Sequence, residues 1–85
     1  MDRSKAHVAA ALLEQVASGE LDASVALSEW PQDAEGDELL NASWHDLSHF
    51  AVDIDIRMKD PRYEAHQLSL LLGRAKQIRE RHRVV

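Results

Sequence analysis

Leu40, Trp44, Leu47, Ala51, Ile54 and Met58 are spaced four, three, four, three and four residues apart. An α-helix turns about every 3.6 residues, so this spacing lays six apolar side chains along one edge of a single rod. The pattern predicts a long helix over 37–59, and an edge of this kind is stable only when other elements cover it. "KDP" ends the rod. Pro61 disfavours helical backbone at Asp60, which is then free to cap a following helix that carries Pro61 in its first turn.

Three further helices fit the remainder. Over 4–18, Ala9, Leu12, Leu13 and Val16 recur at helical spacing, with Ser4 as N-cap and Gly19 as a left-handed stop onto which Leu21 folds back. Asp22 caps a short helix reaching Trp30, with Ala23, Ala26, Leu27 and Trp30 on one side, and Pro31 stops it. The polar stretch "PQDAEGDE" over 31–38 reads as a loop. A last helix spans 61–81 with Leu68, Leu71, Leu72, Ala75 and Ile78 as its stripe and Leu70 on a flank. Trp30 and Trp44 are read as core anchors, and Gly73 lies opposite its helix's stripe. Short connections make neighbours antiparallel, so the prediction is one all-α domain over 1–85. It is an antiparallel four-helix bundle with a short second and a long third helix. At 85 residues a single core is only marginally stabilising.

The densest chemistry lies on the third rod, in "HDLSHFAVDIDIRMKD". With about 100° between successive residues, His49 and Ile56 fall opposite the apolar edge, and His45, Val52 and Asp53 lie beside them. Asp46, Phe50 and Arg57 form one flank; Ser48, Asp55 and Lys59 form the other. Asp53 and Asp55 therefore point apart and do not share a proton as paired carboxylates. His45, His49 and Asp53, at i, i+4 and i+8, share a face that could chelate a divalent ion. "HDLSH" lacks the glutamate that gives the metalloprotease motif its general base, and a solvated face is the plainer reading. A two-helix metal site would need His66 to face it. Asp55, near the core edge, needs a partner, and Lys59 one turn later supplies a structural ion pair in the favourable acid-then-base order. Val52 and Ile56 point outward with Phe50 beside them. Bordered by Asp46 and Asp53, they form an apolar patch suited to a protein partner or a second copy of the chain, with a wide core as the alternative.

Charge narrows the partner. The chain has 15 acidic and 10 basic residues, a net charge of −5, and a phosphate-binding surface needs the opposite sign, so nucleic acid is not the expected partner. Residues 32–60 hold eight acids against two bases, and residues 74–83 hold five bases against one acid. Three readings stand: the two regions pair with each other, the basic end simply complements the last helix's dipole, or it is a nucleic-acid tail, for which one turn of arginines is a weak signal. There is no cysteine, hence no disulfide framework or thiolate chemistry. No apolar span is long enough for a membrane partner, and a cytoplasmic location is expected. With no activated nucleophile or matched acid–base pair, neither an enzyme nor a cofactor is expected.

The stretches "LLEQVASGELDASVALSEW" and "LSHFAVDIDIRMKDPRYEAHQLSLLLGRAKQI" resemble elements of small four-helix bacterial immunity proteins, the colicin D type among them. The shared marks are an early "L…SGxL" helix stop, a long third helix carrying "DxDxR…D" and an amphipathic last helix. The basic C-terminal end and the "SWHDLSHF" segment depart from that pattern. The resemblance implies a non-catalytic inhibitor that covers the active site of a basic nuclease toxin with acidic side chains, Asp46, Asp53 and Asp55 falling in the acidic region. Acids held on a rigid helix can imitate phosphates and steer a basic partner. The expectation is a protein-binding module whose contact residues are Asp46, Phe50, Val52, Asp53 and Ile56. Metal chemistry through His45, His49 and Asp53, and a structural homodimer through Val52, Ile56 and Phe50, are the alternatives.

Overall fold

Gly19 adopts a φ of 84°, the left-handed conformation that glycine takes without steric cost. The amides of Glu20 and Leu21 fold back onto the Gln15 carbonyl at 2.9 and 3.2 Å, which satisfies the end of α1 (Arg3–Ser18). Ser4, expected as its cap, lies inside that helix. The structure, a computed structural model, describes residues 3–31 and 37–81, with side chains from residue 5 onward. The fold is all-α among these residues, and it has five helices where four were expected.

α2 (Ala23–Ser28) is short, as its sequence implies. Its flanking Asp22 does not cap the backbone but accepts from Ser24 Oγ at 2.7 Å. Most of the expected loop over 31–38 lies outside the described residues. Asp37 then caps the next helix, accepting from the Leu39 and Leu40 amides at 2.9 and 3.2 Å. The predicted single rod is corrected here: it is divided at Asp53 into α3 (Glu38–Val52) and α4 (Ile54–Lys59). Asp53 sits at φ −86°, ψ 22°, outside the helical region. Its amide still donates to the His49 carbonyl at 2.9 Å, and its carbonyl accepts from the Arg57 amide at 3.0 Å, so the joint is a kink and not a loop. Asp60 caps α5 (Pro61–Arg81), accepting from the Arg62 amide at 3.0 Å with Pro61 in the first turn, as "KDP" predicts.

The kink changes which side chains are hidden. α3 buries Leu40, Ser43, Leu47 and Phe50, a three–four–three spacing as helical as the predicted one. Ser43 tolerates burial because its hydroxyl donates to the Leu39 carbonyl at 2.7 Å. Trp44, Ile54 and Met58 are exposed, contrary to their expected place in the seam, whereas Trp30 is a core residue. On α5, Gln67, Leu71, Ala75 and Ile78 are buried, and Leu72 is half exposed.

α5 is the element against which α1, α3 and α4 pack, and α2 lies on α3. Leu13, Leu40, Leu47, Leu71 and Ile78 are fully buried at the centre. The acidic and basic regions of the chain meet across this core. Arg74 Nε lies 2.7 Å from Asp46 Oδ2, Arg81 lies 3.7 Å from Asp37, and Arg79 forms a two-pronged bond with Glu14 at 2.9 and 2.6 Å. Those donated bonds hold the Glu14 carboxyl below its ordinary pKa, and the carboxylate raises that of Arg79 in turn. No helix among the described residues is long and apolar enough to cross a membrane.

Candidate functional site

The elbow between α3 and α4 gathers the polar groups that the sequence scatters. Arg57 is the buried residue of α4, 9% exposed, with its guanidinium 3.6 Å over the Phe50 ring. Its Nη1 donates to the Phe50 carbonyl and, at 3.4 Å, to Gln67 Oε1. A straight helix would supply the Phe50 carbonyl with an amide one turn later; at the kink the Arg57 side chain caps it.

From Gln67 the network runs outward. Gln67 Nε2 donates to the Tyr63 hydroxyl at 3.1 Å and to Asp53 Oδ2 at 3.3 Å, and Tyr63 donates its proton to the same oxygen at 2.7 Å. Tyr63 and Gln67 are one turn apart on α5, so both reach the carboxylate at the joint. The bond to Asp53 pushes the Tyr63 hydroxyl above its ordinary pKa, because the phenolate would face a carboxylate and lose the bond. Tyr63 therefore keeps its proton and acts here as a donor that fixes Asp53.

In front of this network lies an open cleft of about 240 Å³ between α3 and α5. Asp46, His49 and Asp53 line it from one side, and Tyr63, His66 and Leu70 from the other. Small-molecule sites usually span about 300–1,000 Å³; this one has room for a single side chain. A second, wider hollow of about 670 Å³ lies on the opposite side of the elbow, where α1 ends and α2 begins. Val16, Leu21, Ala51 and Leu68 line its apolar part, with Asp22 and Glu64 among its polar residues.

The predicted contact residues separate in this geometry. Asp46 is tied to Arg74, and Asp53 to Tyr63 and Gln67. Val52 and Ile56 are outward, 78% and 50% exposed. Phe50 is corrected: at 8% exposure under Arg57 it belongs to the core and is not available to a partner or to the expected homodimer surface. The Asp55–Lys59 ion pair is also corrected. Both side chains are exposed and no such pair occurs among the described residues, because the kink turns Asp55 away from the core edge and removes its need for a partner.

His45 stands edge-on to Trp44, their ring centres 5.2 Å apart, while His49 faces the cleft. His49, Asp53 and His66 do line one hollow, but no group of three such ligands close enough for a metal ion occurs among the described residues. Arg57 and Gln67 were missed from sequence because both occupy positions where an apolar residue is the ordinary occupant. The signal was there in "VDIDIRMK", residues 52–59, where apolar and polar residues alternate strictly. Such a run wound into a helix cannot keep its apolar residues on one face. Comparison with known proteins finds no matching family model, curated protein or solved structure.

Proposed function

We propose that this chain is a non-catalytic, cytoplasmic protein-binding module, an antiparallel helical bundle that meets a basic protein partner on the α3–α5 side of the elbow. The observation that carries the reading is a carboxylate fixed on a rigid joint beside two uncovered branched side chains. Asp53 is held by Tyr63 and Gln67, with Val52 and Ile56 on the neighbouring outer surface of the same segment. The apolar pair supplies contact area, and Asp53, backed by the net charge of −5, selects a cation. The cleft of about 240 Å³ is of a size for one arginine or lysine side chain of the partner. Asp46, whose charge Arg74 already meets, serves as a wall more than as a bait.

Recognition is favoured over proton transfer because the hydroxyl in the cleft holds its proton more tightly than an ordinary tyrosine. The reading agrees in kind with the inhibitor that the immunity-protein resemblance implies, with the acidic contact narrowed towards Asp53. Isotope-labelled protein titrated with an arginine-rich peptide, and with a glycine–serine peptide of the same length, tests it. Amide shifts centred on His49, Asp53 and His66 that appear with the basic peptide alone and fade with salt are expected. Shifts spread evenly over Glu14, Asp22 and Glu29, or equal responses to both peptides, would overturn it.

A further inference from the structure

α4 also presents a surface that the cleft does not use. A step of about 100° per residue puts Ile54 above Met58 in one column and Asp55 above Lys59 in the next; the charged column lies opposite Asp53 and Arg57, while Ile54 stands at the rim of the wider hollow that Arg57 also lines. Ile54 and Met58 are 52% and 80% exposed, Asp55 and Lys59 are exposed, and no hydrogen bond or ion pair engages those two charges among the described residues. Uncovered apolar side chains thus stand beside unspent charges of both signs on a helix of six residues.

We infer that this face docks α4 of a second copy of the same chain, antiparallel and about a two-fold axis. Such an axis keeps each column opposite its own copy and reverses the order along it. Ile54 then meets the second copy's Met58, and Asp55 meets the second copy's Lys59, each contact occurring twice. A basic partner would leave Lys59 opposed, and an acidic one would leave Asp55 opposed. The chain's own α4 carries both charges in the reversed order and an apolar column of matching position, which satisfies the whole face. A contact of two helical turns falls short of the roughly 1,200–2,000 Å² of a stable interface, so the pair is weak and in exchange with monomer.

The inference is independent of the cleft, and its test leaves the cleft residues intact. Sedimentation from micromolar to millimolar concentration is compared for the full chain, D55K, K59D, the D55K/K59D double variant and an equal mixture of the two single variants. The unchanged chain is expected to pass reversibly from monomer to dimer. Each single reversal sets like charges face to face twice and weakens association by about tenfold or more. The double variant regains it, and the mixture associates better than either single variant alone, since one then supplies the bases and the other the acids. M58S, which changes a largely exposed side chain and no charge, also weakens the dimer, and circular dichroism checks that each variant keeps its helices. A chain that stays monomeric at millimolar concentration overturns the inference. So do single variants that associate as the original does, or a mixture no better than its components.

Discussion

Arg57 is where the elbow is most exposed to a single substitution. Replacing it with alanine deletes a charged donor from the Phe50 carbonyl, a loss of about 1.5–3 kcal/mol for a bond of that kind. It also removes the guanidinium from the Phe50 ring at 3.6 Å, about 0.5–2 kcal/mol, and the packing of two methylenes, about 1.5 kcal/mol. Against this stands the relief of a buried cation that has no ion-pair partner among the described residues, of order several kcal/mol if fully dry. The balance is a net destabilisation of about 2–4 kcal/mol, a large share of the roughly 5–15 kcal/mol that holds a domain together. In a chain of this size it lowers the melting temperature by about 10–25 °C. Urea titration followed by far-ultraviolet circular dichroism measures it. Arg57→Met separates the terms, because methionine keeps much of the stem and loses only the polar contacts; it should cost about 1–2 kcal/mol. An Arg57→Met chain as stable as the original, with Arg57→Ala within about 1 kcal/mol of it, would show that the cap on Phe50 contributes nothing and that α4 is held by other means.

Acid should weaken the clasp between α1 and α5. The Glu14 carboxyl is lowered in the fold by the bonds from Arg79, so its contribution is whole above the unfolded carboxylate pKa of about 4.3 and is lost as pH falls from there through the lower folded value. Both side chains are about two-fifths exposed, so Glu14→Gln should remove under about 1 kcal/mol and flatten that limb of the stability–pH curve. At Gly73 an added Cβ meets nothing within 4 Å, and Gly73→Ala should raise stability by about 0.5–1 kcal/mol in a urea titration. Zinc should leave the melting midpoint unchanged, whereas a rise abolished by His49→Ala would restore the metal reading, since an ion bound only to the native state must stabilise it.

Much of the fold is written in local chemistry. Gly19 and the Asp60–Pro61 start of α5 each act within a few residues of their own position, and both stand where the sequence places them. The long seam failed for a different reason. Counting apolar residues alone could not credit Ser43, which is buried by bonding to its own helix, or Arg57, which is buried by capping another residue's carbonyl. The division of charge along the chain allowed contact between its acidic middle and basic end as one reading among several, and pattern alone could not say that Asp46 would take Arg74 or that Asp53 would take Tyr63. Pairings between distant segments depend on how helices rotate against each other, and the joint at Asp53 sets that rotation.

The joint and the candidate surfaces have one physical origin. Valine and isoleucine every second residue is the pattern of a strand with one buried face, yet residues 54–59 are helical because Asp60 and Pro61 fix the next helix and Arg57 ties this one to Phe50. Local preference and fold therefore disagree in this segment, and such conflicts concentrate where a chain does something besides fold. Winding the run helically sends its apolar residues to both sides: Val52 and Ile56 go to one outer surface, Ile54 and Met58 to the opposite flank. Had the segment formed a strand, all four would share a single face and Asp55 and Lys59 would lie on the other, so the mixed apolar and charged patch would not exist. The helical state of 54–59 is thus a condition for self-docking. Loosening the Arg57 contact should weaken that docking even where Asp55, Lys59, Ile54 and Met58 are untouched.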